Sequence, residues 1–439
     1  MYLLYSFLFS AGLILTAPYY LWRHRGQFGG RAWRERLGFL PLEGNSRAAG
    51  GIWVHAVSVG ETLSAVPLVQ ELARVFPGRP IFMSHVTPAG RELGEKRLPN
   101  VAARFYMPLD WAWAVRRAVR AIRPAVLIIV ETEIWPNLLR AVKENGGRVA
   151  VVNARISDRS FPRYLRARPF MRRILNGVDR LCAQSEVDAE RLRQIGAPPE
   201  RVVVTGNLKF DASASPPSPW VPQLREWLTR WERGPVWVAA STMAGEEPLV
   251  LGAWRAVHQR HPRALMILAP RHPARFDVVA RLLADSRIKA VRRTSLNGRP
   301  NEMGRQIESA EVLLLDTMGE LAGTFDLADV VFMGGTLVPT GGHNLIEPAV
   351  AGKATLFGPH MENFRDVASL FLGAGAALQV PNAETLAPAL LRLLDHPSER
   401  RELGERARQV LEQQRGAVRR TLEQLGPWLD SPPTPSGTV

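Results

Sequence analysis

Beyond residue 50 the chain alternates short apolar runs with longer segments whose apolar positions recur at helical spacing. The first kind reads as strand and the second as helix with one buried face. In the first half this predicts strands at 52–58, 80–86, 103–108, 125–131, 148–154, 180–185 and 201–206, with helices such as 61–76, 111–122 and 162–176 between them. Runs such as AVLIIV and RVAVV are apolar throughout. Their strands are therefore buried on both faces, as in a parallel sheet. The rhythm stops at DASASPPSPWVP, 211–222, where four prolines mark a linker. It resumes with VWVAAS, ALMILAP, EVLLLD, VVFMGG and ATLFG as strands, and ends in a charged helical stretch near 397–426 and a Pro/Ser tail. The expected fold class is α/β, with two doubly wound Rossmann-like domains facing across a cleft. Ligands of such sheets bind at the carboxyl ends of the strands.

Residues 2–22 contain no charged side chain, a run long enough to cross a bilayer as a helix. Arg23, Arg25, Arg31, Arg34 and Arg36 follow, against one acid, Glu35. Positive charge after the apolar run predicts a membrane anchor with the rest of the chain on the cytoplasmic side. A cleaved signal peptide carries its charge before that run. The formal charge of +15, from 56 Lys+Arg and 41 Asp+Glu, favours an anionic partner. Cys182 is the one cysteine, in a strand-like RLCAQS, and reads as inert core in a reducing compartment.

Candidate chemistry gathers at strand ends. HAVSVGETL runs from a strand into a helix. Its Ser58-Val59-Gly60-Glu61 fits a capping box, in which the glutamate reaches back to a free backbone N–H. Glu61 is thus either a cap or a carboxylate available for a proton. IIVETEIWPN ends an apolar strand with Glu131 and Glu133, two carboxylates at i and i+2 that a strand would place on one side; a metal pair is the alternative. VTGNLKFD sets Lys209 just before the linker.

In the second half four strand-end loops are candidates: 239–247, 268–276, 314–323 and 333–359. Gly334, Gly335, Gly341 and Gly342 permit close backbone approach to a ligand. A helix start near His343-Asn344 suits a phosphate. Glu347, one turn on, either holds ribose hydroxyls or complements the helix dipole. Arg271 and His272 supply cations, and Met318-Gly319-Glu320 marks another helix start. There is no GxxxxGK[ST], no DxD and no histidine cluster with ligand spacing, so no cofactor and no metal are expected. From Arg155 to Arg180 eight arginines face two aspartates, interleaved with Phe161, Tyr164 and Phe170. This reads as a contact for an anionic membrane surface. RNA is the competing partner, and the neighbouring apolar segment favours membrane over nucleic acid.

Taken in order, HAVSVGE, MPLDWAWAVRRAVRAIRPAVLIIVETEIWPN, VNARISDRS, QSEVDAERL, VTGNLKFD, LAPRHP, DTMGEL and GGHNLIEPA resemble the Kdo transferase family, Kdo being 3-deoxy-D-manno-oct-2-ulosonic acid. The matching stretches span about 30–370, and MSHVTPAG, 83–90, is a looser match. The resemblance implies an inverting glycosyltransferase of GT-B type in lipopolysaccharide assembly. It implies CMP-Kdo as donor and the lipid A precursor lipid IVA as acceptor. The family's catalytic base falls on Glu61, and Glu131 and Lys209 match positions that stabilise the transition state. Pro270, Arg271, Met318, Gly319, Glu320, Asn344, Leu345, Ile346 and Glu347 match its CMP-binding segments. The layout it suggests is a membrane anchor at 1–22, an acceptor-binding domain at 23–210, a linker at 211–222, a CMP-sugar-binding domain at 223–427 and a disordered tail at 428–439. The location it suggests is the bacterial inner membrane, with the catalytic domains on the cytoplasmic face. The rival readings are another GT-B enzyme with a UDP-sugar donor, and a non-catalytic tether that binds a nucleotide sugar or RNA.

Overall fold

A computed structural model describes residues 2–23, 30–42, 50–211, 220–296 and 300–430. The chain forms two compact units, 1–212 together with 414–439, and 213–413.

The first unit is built on a seven-stranded sheet of order β3-β2-β1-β4-β5-β6-β7. Its strands are β1 Ile52–His55, β2 Ile81–His85, β3 Ala103–Tyr106, β4 Val126–Val130, β5 Arg148–Ala154, β6 Arg180–Ala183 and β7 Val202–Val204. Every pairing is parallel. The uninterrupted apolar runs have a simple cause. Trp53, Leu127, Ile129, Val149 and Val151 enter the core on one face of the sheet. Ile52, Val54, Val126, Ile128, Val130 and Val152 enter the core on the other. Cys182 is fully buried in the latter, and burial pushes its thiol up to about 12, so it is inert core as the sequence predicts.

The second unit repeats the plan with order β10-β11-β9-β8-β12-β13-β14, again all parallel. Its strands are β8 Val236–Thr242, β9 Leu265–Pro270, β10 Ala290–Arg292, β11 Val312–Leu314, β12 Val330–Met333, β13 Ala354–Phe357 and β14 Leu378–Gln379. Two sheets of this kind are consistent with a GT-B fold. Apolar periodicity does not reveal β10 and β14. Both are edge strands with little buried surface, so neither needs an apolar run.

Three boundaries differ from expectation. The helix expected over 162–176 is two, Phe161–Arg166 and Arg168–Leu175, interrupted at Ala167 shortly before Pro169. The terminal helical stretch is also two, Pro397–Gln414 and Ala417–Leu429, separated where Gly416 adopts φ 88°. The last helix belongs to the first unit, not to the domain expected at 223–427. Ala417, Val418, Leu425 and Leu429 join the core beside β1 and β4. The Asp211 carboxylate accepts the N–H groups of Gly416 and Val418, at 2.7 and 2.5 Å. Of the expected linker, 212–219 lie outside the described residues, as do 431–439 of the expected tail.

The membrane anchor expected at 1–22 is corrected. Tyr2–Arg23 is a helix, but among the described residues no helix is long and apolar enough to cross a membrane. The inner-membrane location that rested on such an anchor falls with it. The physical reason is that uncharged is not the same as apolar. Asn137 Nδ2 donates to Ser6 Oγ at 3.0 Å and Trp111 Nε1 donates to Ser10 Oγ at 2.9 Å. Tyr5 is hydrogen-bonded to the buried Asp110. One face of this helix is therefore seated on the first unit, while Leu4, Phe7, Leu8, Ile14 and Leu15 face outward.

Candidate functional site

In the first sheet the strand order reverses between β1 and β4, which is where open α/β sheets bind ligands. β1 leads to Glu61 and β4 leads to Glu131. The two strands run in register, Ile52 opposite Val126 and His55 opposite Ile129, so both loops leave the same edge.

Glu61 lies in the first turn of helix Val59–Val75, with Ser58 as N-cap. Its Oε2 accepts the Val57 N–H at 2.6 Å, and Oε1 accepts the Ser58 hydroxyl at 3.1 Å. The capping geometry is therefore present. Glu61 is also buried, 8% exposed as a residue. Burial pushes its pKa up to about 7, the Val57 N–H opposes that rise, and Glu131 and Glu133 reinforce it. A glutamate poised there accepts a proton near neutral pH.

Glu131 and Glu133 lie past the end of β4, and Glu131 takes φ 62°. Strand alternation therefore does not set their directions, contrary to the i, i+2 expectation. Their proximity instead shows electrostatically, because both raise Glu61. Glu133 itself is raised by burial and then by Glu131. Lys209 Nζ lies 4.0 Å from Glu131 Oε1 and is half-buried. Amides fix its loop. Asn153 Oδ1 accepts the Leu208 N–H, Asn207 Oδ1 accepts the Lys209 N–H, and Gln184 bridges Asn207 to the Asn153 carbonyl, all at 3.0 Å.

Beneath these loops lies a buried polar layer that lone-residue reasoning does not reveal. Trp135 Nε1 donates to His55 Nε2 at 3.2 Å, so the proton on His55 sits on Nδ1, 2.8 Å from Ser84 Oγ. Trp53 Nε1 also donates to Ser84, at 2.8 Å. His85 Nδ1 donates to the Ala56 carbonyl at 3.1 Å. Burial lowers His55 to about 3 and His85 to about 4, so both stay neutral. The sequence signal was present in HAVS and MSH, where histidine interrupts otherwise buried strand ends.

The second sheet reverses its order between β8 and β12. The loop after β8 carries Glu246, which is fully buried. Its carboxylate accepts the N–H groups of Gly335, Thr336 and Leu337 at 2.6, 3.0 and 2.9 Å. The glycines serve this contact. A Cβ at Gly334 would lie 2.7 Å from Glu246 Oε2, and Gly335 takes φ 68°. Those three N–H groups are consequently committed to the protein's own carboxylate rather than open to a phosphate. Arg271 follows β9, its N–H held by the Thr242 carbonyl at 2.9 Å. Burial, then Arg271 and His272, lower His343 to about 4, which places its neutral ring close to Arg271 and His272.

The other predicted donor residues fall around this edge. Pro270 is the buried last residue of β9. Leu345 and Ile346 are buried, so only their backbone is available to a ligand. The helix expected near His343-Asn344 is short, Ile346–Val350, and Asn344 Oδ1 caps its Ile346 N–H at 3.1 Å. Glu347 is exposed in its first turn. Met318 is exposed and Gly319 takes φ 85°. Glu320 is tied to Arg293 and Thr317 at 3.1 and 2.5 Å. Among the described residues no group of three or more His, Cys, Asp or Glu is placed to hold a metal ion.

The family profile of 3-deoxy-D-manno-octulosonic-acid transferase (kdotransferase) matches residues 31–212. The 3-deoxy-D-manno-octulosonic acid transferase of Bordetella pertussis is 37% identical over 93% of this chain and 95% of its own. That of Haemophilus influenzae is 34% identical over 90% of this chain and 91% of its own. This chain belongs to the Kdo transferase family. The C-terminal CMP-Kdo binding domain of WaaA from Acinetobacter baumannii is 31% identical, covering 44% of this chain and 98% of that one, with a TM-score of 0.40. In this Kdo transferase the profile match contains Glu61, Glu131 and Lys209.

Proposed function

We propose that this Kdo transferase adds Kdo to lipid IVA with inversion, using Glu61 as general base. Transfer of Kdo from CMP-Kdo is the activity of the family to which the chain belongs. The observation that carries the mechanism is a carboxyl group raised to about 7 at the strand-order reversal of the first sheet. Glu61 takes the proton of the acceptor hydroxyl as its oxygen bonds to the anomeric carbon of Kdo. The bond from that carbon to the phosphate oxygen breaks, and CMP leaves with the electron pair. Lys209, beside Glu131, offsets charge on the acceptor side. Arg271 offsets the charge that grows on the leaving phosphate, and His343 beside it is held neutral near pH 7, mainly by burial. Glu347 accepts from the ribose hydroxyls. Pro270, Asn344, Leu345 and Ile346 shape the CMP site, as does the Met318-Gly319-Glu320 turn.

The lipid acceptor is supported by two surfaces of the first unit. Arg163, Arg166, Arg168, Arg172 and Arg173 are exposed on the paired helices after β5, with Leu165 and Phe170 beside them. Burial, and then Glu133, raises the Tyr164 hydroxyl, so these helices lie near the carboxylate loop. The outward apolar face of the first helix is suited to acyl chains. The test is incubation with CMP-Kdo and lipid IVA, followed by the mass of the lipid. A product heavier by one or more Kdo units is expected. An unchanged lipid, or one altered only when a UDP-sugar is supplied, would overturn the reading.

A further inference from the structure

Among the described residues, polar contacts of the amino-terminal helix converge on the segment that follows the carboxylate loop. Tyr5 is hydrogen-bonded to Asp110. The Asp110 carboxylate accepts the N–H groups of Asn137 and Leu138, at 3.0 and 2.8 Å, and so caps helix Pro136–Glu144. Asn137 Nδ2 donates both to the Asp110 carbonyl, at 2.6 Å, and to Ser6 Oγ. Trp111, next to Asp110, donates to Ser10. Phe9 meets the Trp135 ring edge-on, with centroids 6.4 Å apart. Trp135 is the N-cap of the same capped helix and is pinned to His55. Glu131, Thr132 and Glu133 precede it, with Ile134 between.

We propose that Tyr5, Ser6, Phe9 and Ser10 are positioning residues of the transfer site: the first helix, by its seat on Asp110, Trp111, Trp135 and Asn137, sets where Glu131 and Glu133 stand relative to Glu61. A helix serving only as apolar surface has no need of a tyrosine bonded to a buried aspartate or of serines aimed at an amide and an indole. Asp110 is fully buried, and its pKa rises to about 7 through burial despite the Tyr5 hydroxyl and two N–H donors, so removal of Tyr5 leaves a poorly solvated group at the root of the loop. The effect on Glu61 travels through charge. Glu131 and Glu133 face it from the loop after β4, Lys209 faces Glu131, and Val57 and Ser58 bond to it directly.

The inference rests on the carboxylate reading above, and the test separates the two. Full-length enzyme is assayed with CMP-Kdo and acceptor dispersed in detergent micelles, so that access to a bilayer is not a variable. The variants are Tyr5→Phe, Ser6→Ala with Ser10→Ala, and the hydroxyl-preserving Ser6→Thr with Ser10→Thr. In the Phe and Ala variants kcat is expected to fall on the order of tenfold, as for a small displacement of reacting groups, with KM for CMP-Kdo unchanged. The acid limb of the pH–rate profile is expected to move to lower pH as Glu131 and Glu133 retreat from Glu61. The threonine pair restores both. An unchanged kcat overturns the inference, as does a rate lowered uniformly with the acid limb unmoved. Near-normal turnover by Glu61→Gln in the same assay would instead mean that the carboxylate reading had failed.

Discussion

The carboxylate of Glu61 caps a helix, and the same atoms are the proposed base. Its hydrogen bonds to Val57 and Ser58 orient the carboxylate, while burial keeps the proton on it up to about pH 7. The sign of the stability effect follows. Between the ordinary value of 4.5 and about 7 the folded protein holds a proton that the unfolded chain has lost. This group therefore lowers stability as pH rises through that window and stabilises only below it, relative to an unshifted glutamate. Glu61→Gln is expected to raise the unfolding free energy at pH 8 by up to roughly 3 kcal/mol, with little gain at pH 4, as read by urea titration at both pH values. An equal effect at both would mean that Glu61 is not shifted. Activity takes the opposite sign: turnover rises with pH, with an acid limb near 7. In the second unit Arg271→Ala is expected to weaken CMP binding about tenfold or more, the loss of a charge-assisted hydrogen bond. Unchanged affinity by calorimetry would place the phosphate elsewhere.

At the scale of elements, legibility follows burial. Strands buried on both faces, such as β1 and β4, declare themselves as apolar runs, and their carboxyl ends lead to Glu61 and Glu131. Edge strands β10 and β14 do not. Nor does the partner of the final helix, because Ala417, Val418, Leu425 and Leu429 show an apolar face without showing what it covers. The first helix misled because Tyr5, Ser6 and Ser10 count as uncharged, yet each requires a polar partner. Glu246 was legible only as one acid in the candidate loop 239–247. Its role as acceptor for three backbone N–H groups depends on a loop ninety residues away in the chain. Glu246→Ala leaves those buried donors unpaired and is expected to destabilise the second unit by about 3 kcal/mol or more. It is also expected to weaken CMP binding through disorder of 334–343. A calorimetric melt unchanged from that of the parent would contradict this role.

For the whole molecule the charge of +15 has an address in the first unit, where exposed arginines sit on the helices Phe161–Arg166 and Arg168–Leu175. Reversal of Arg163, Arg166, Arg168, Arg172 and Arg173 to glutamate is expected to cut turnover on a phosphorylated lipid acceptor and leave CMP affinity intact. The parent enzyme's rate is expected to fall with added salt, since surface charge is screened within about 8 Å at physiological ionic strength. A charge-reversed enzyme with parental turnover would remove the arginines from the acceptor site. The central claim, that a buried glutamate performs the deprotonation, is tested most directly by mass spectrometry of the lipid formed from CMP-Kdo and lipid IVA by the parent and by Glu61→Gln, at equal concentration of folded enzyme. The account predicts Kdo-bearing lipid from the parent and a rate at least about a hundredfold lower from the variant, with CMP affinity unchanged. Near-parental formation of the product by Glu61→Gln would contradict it.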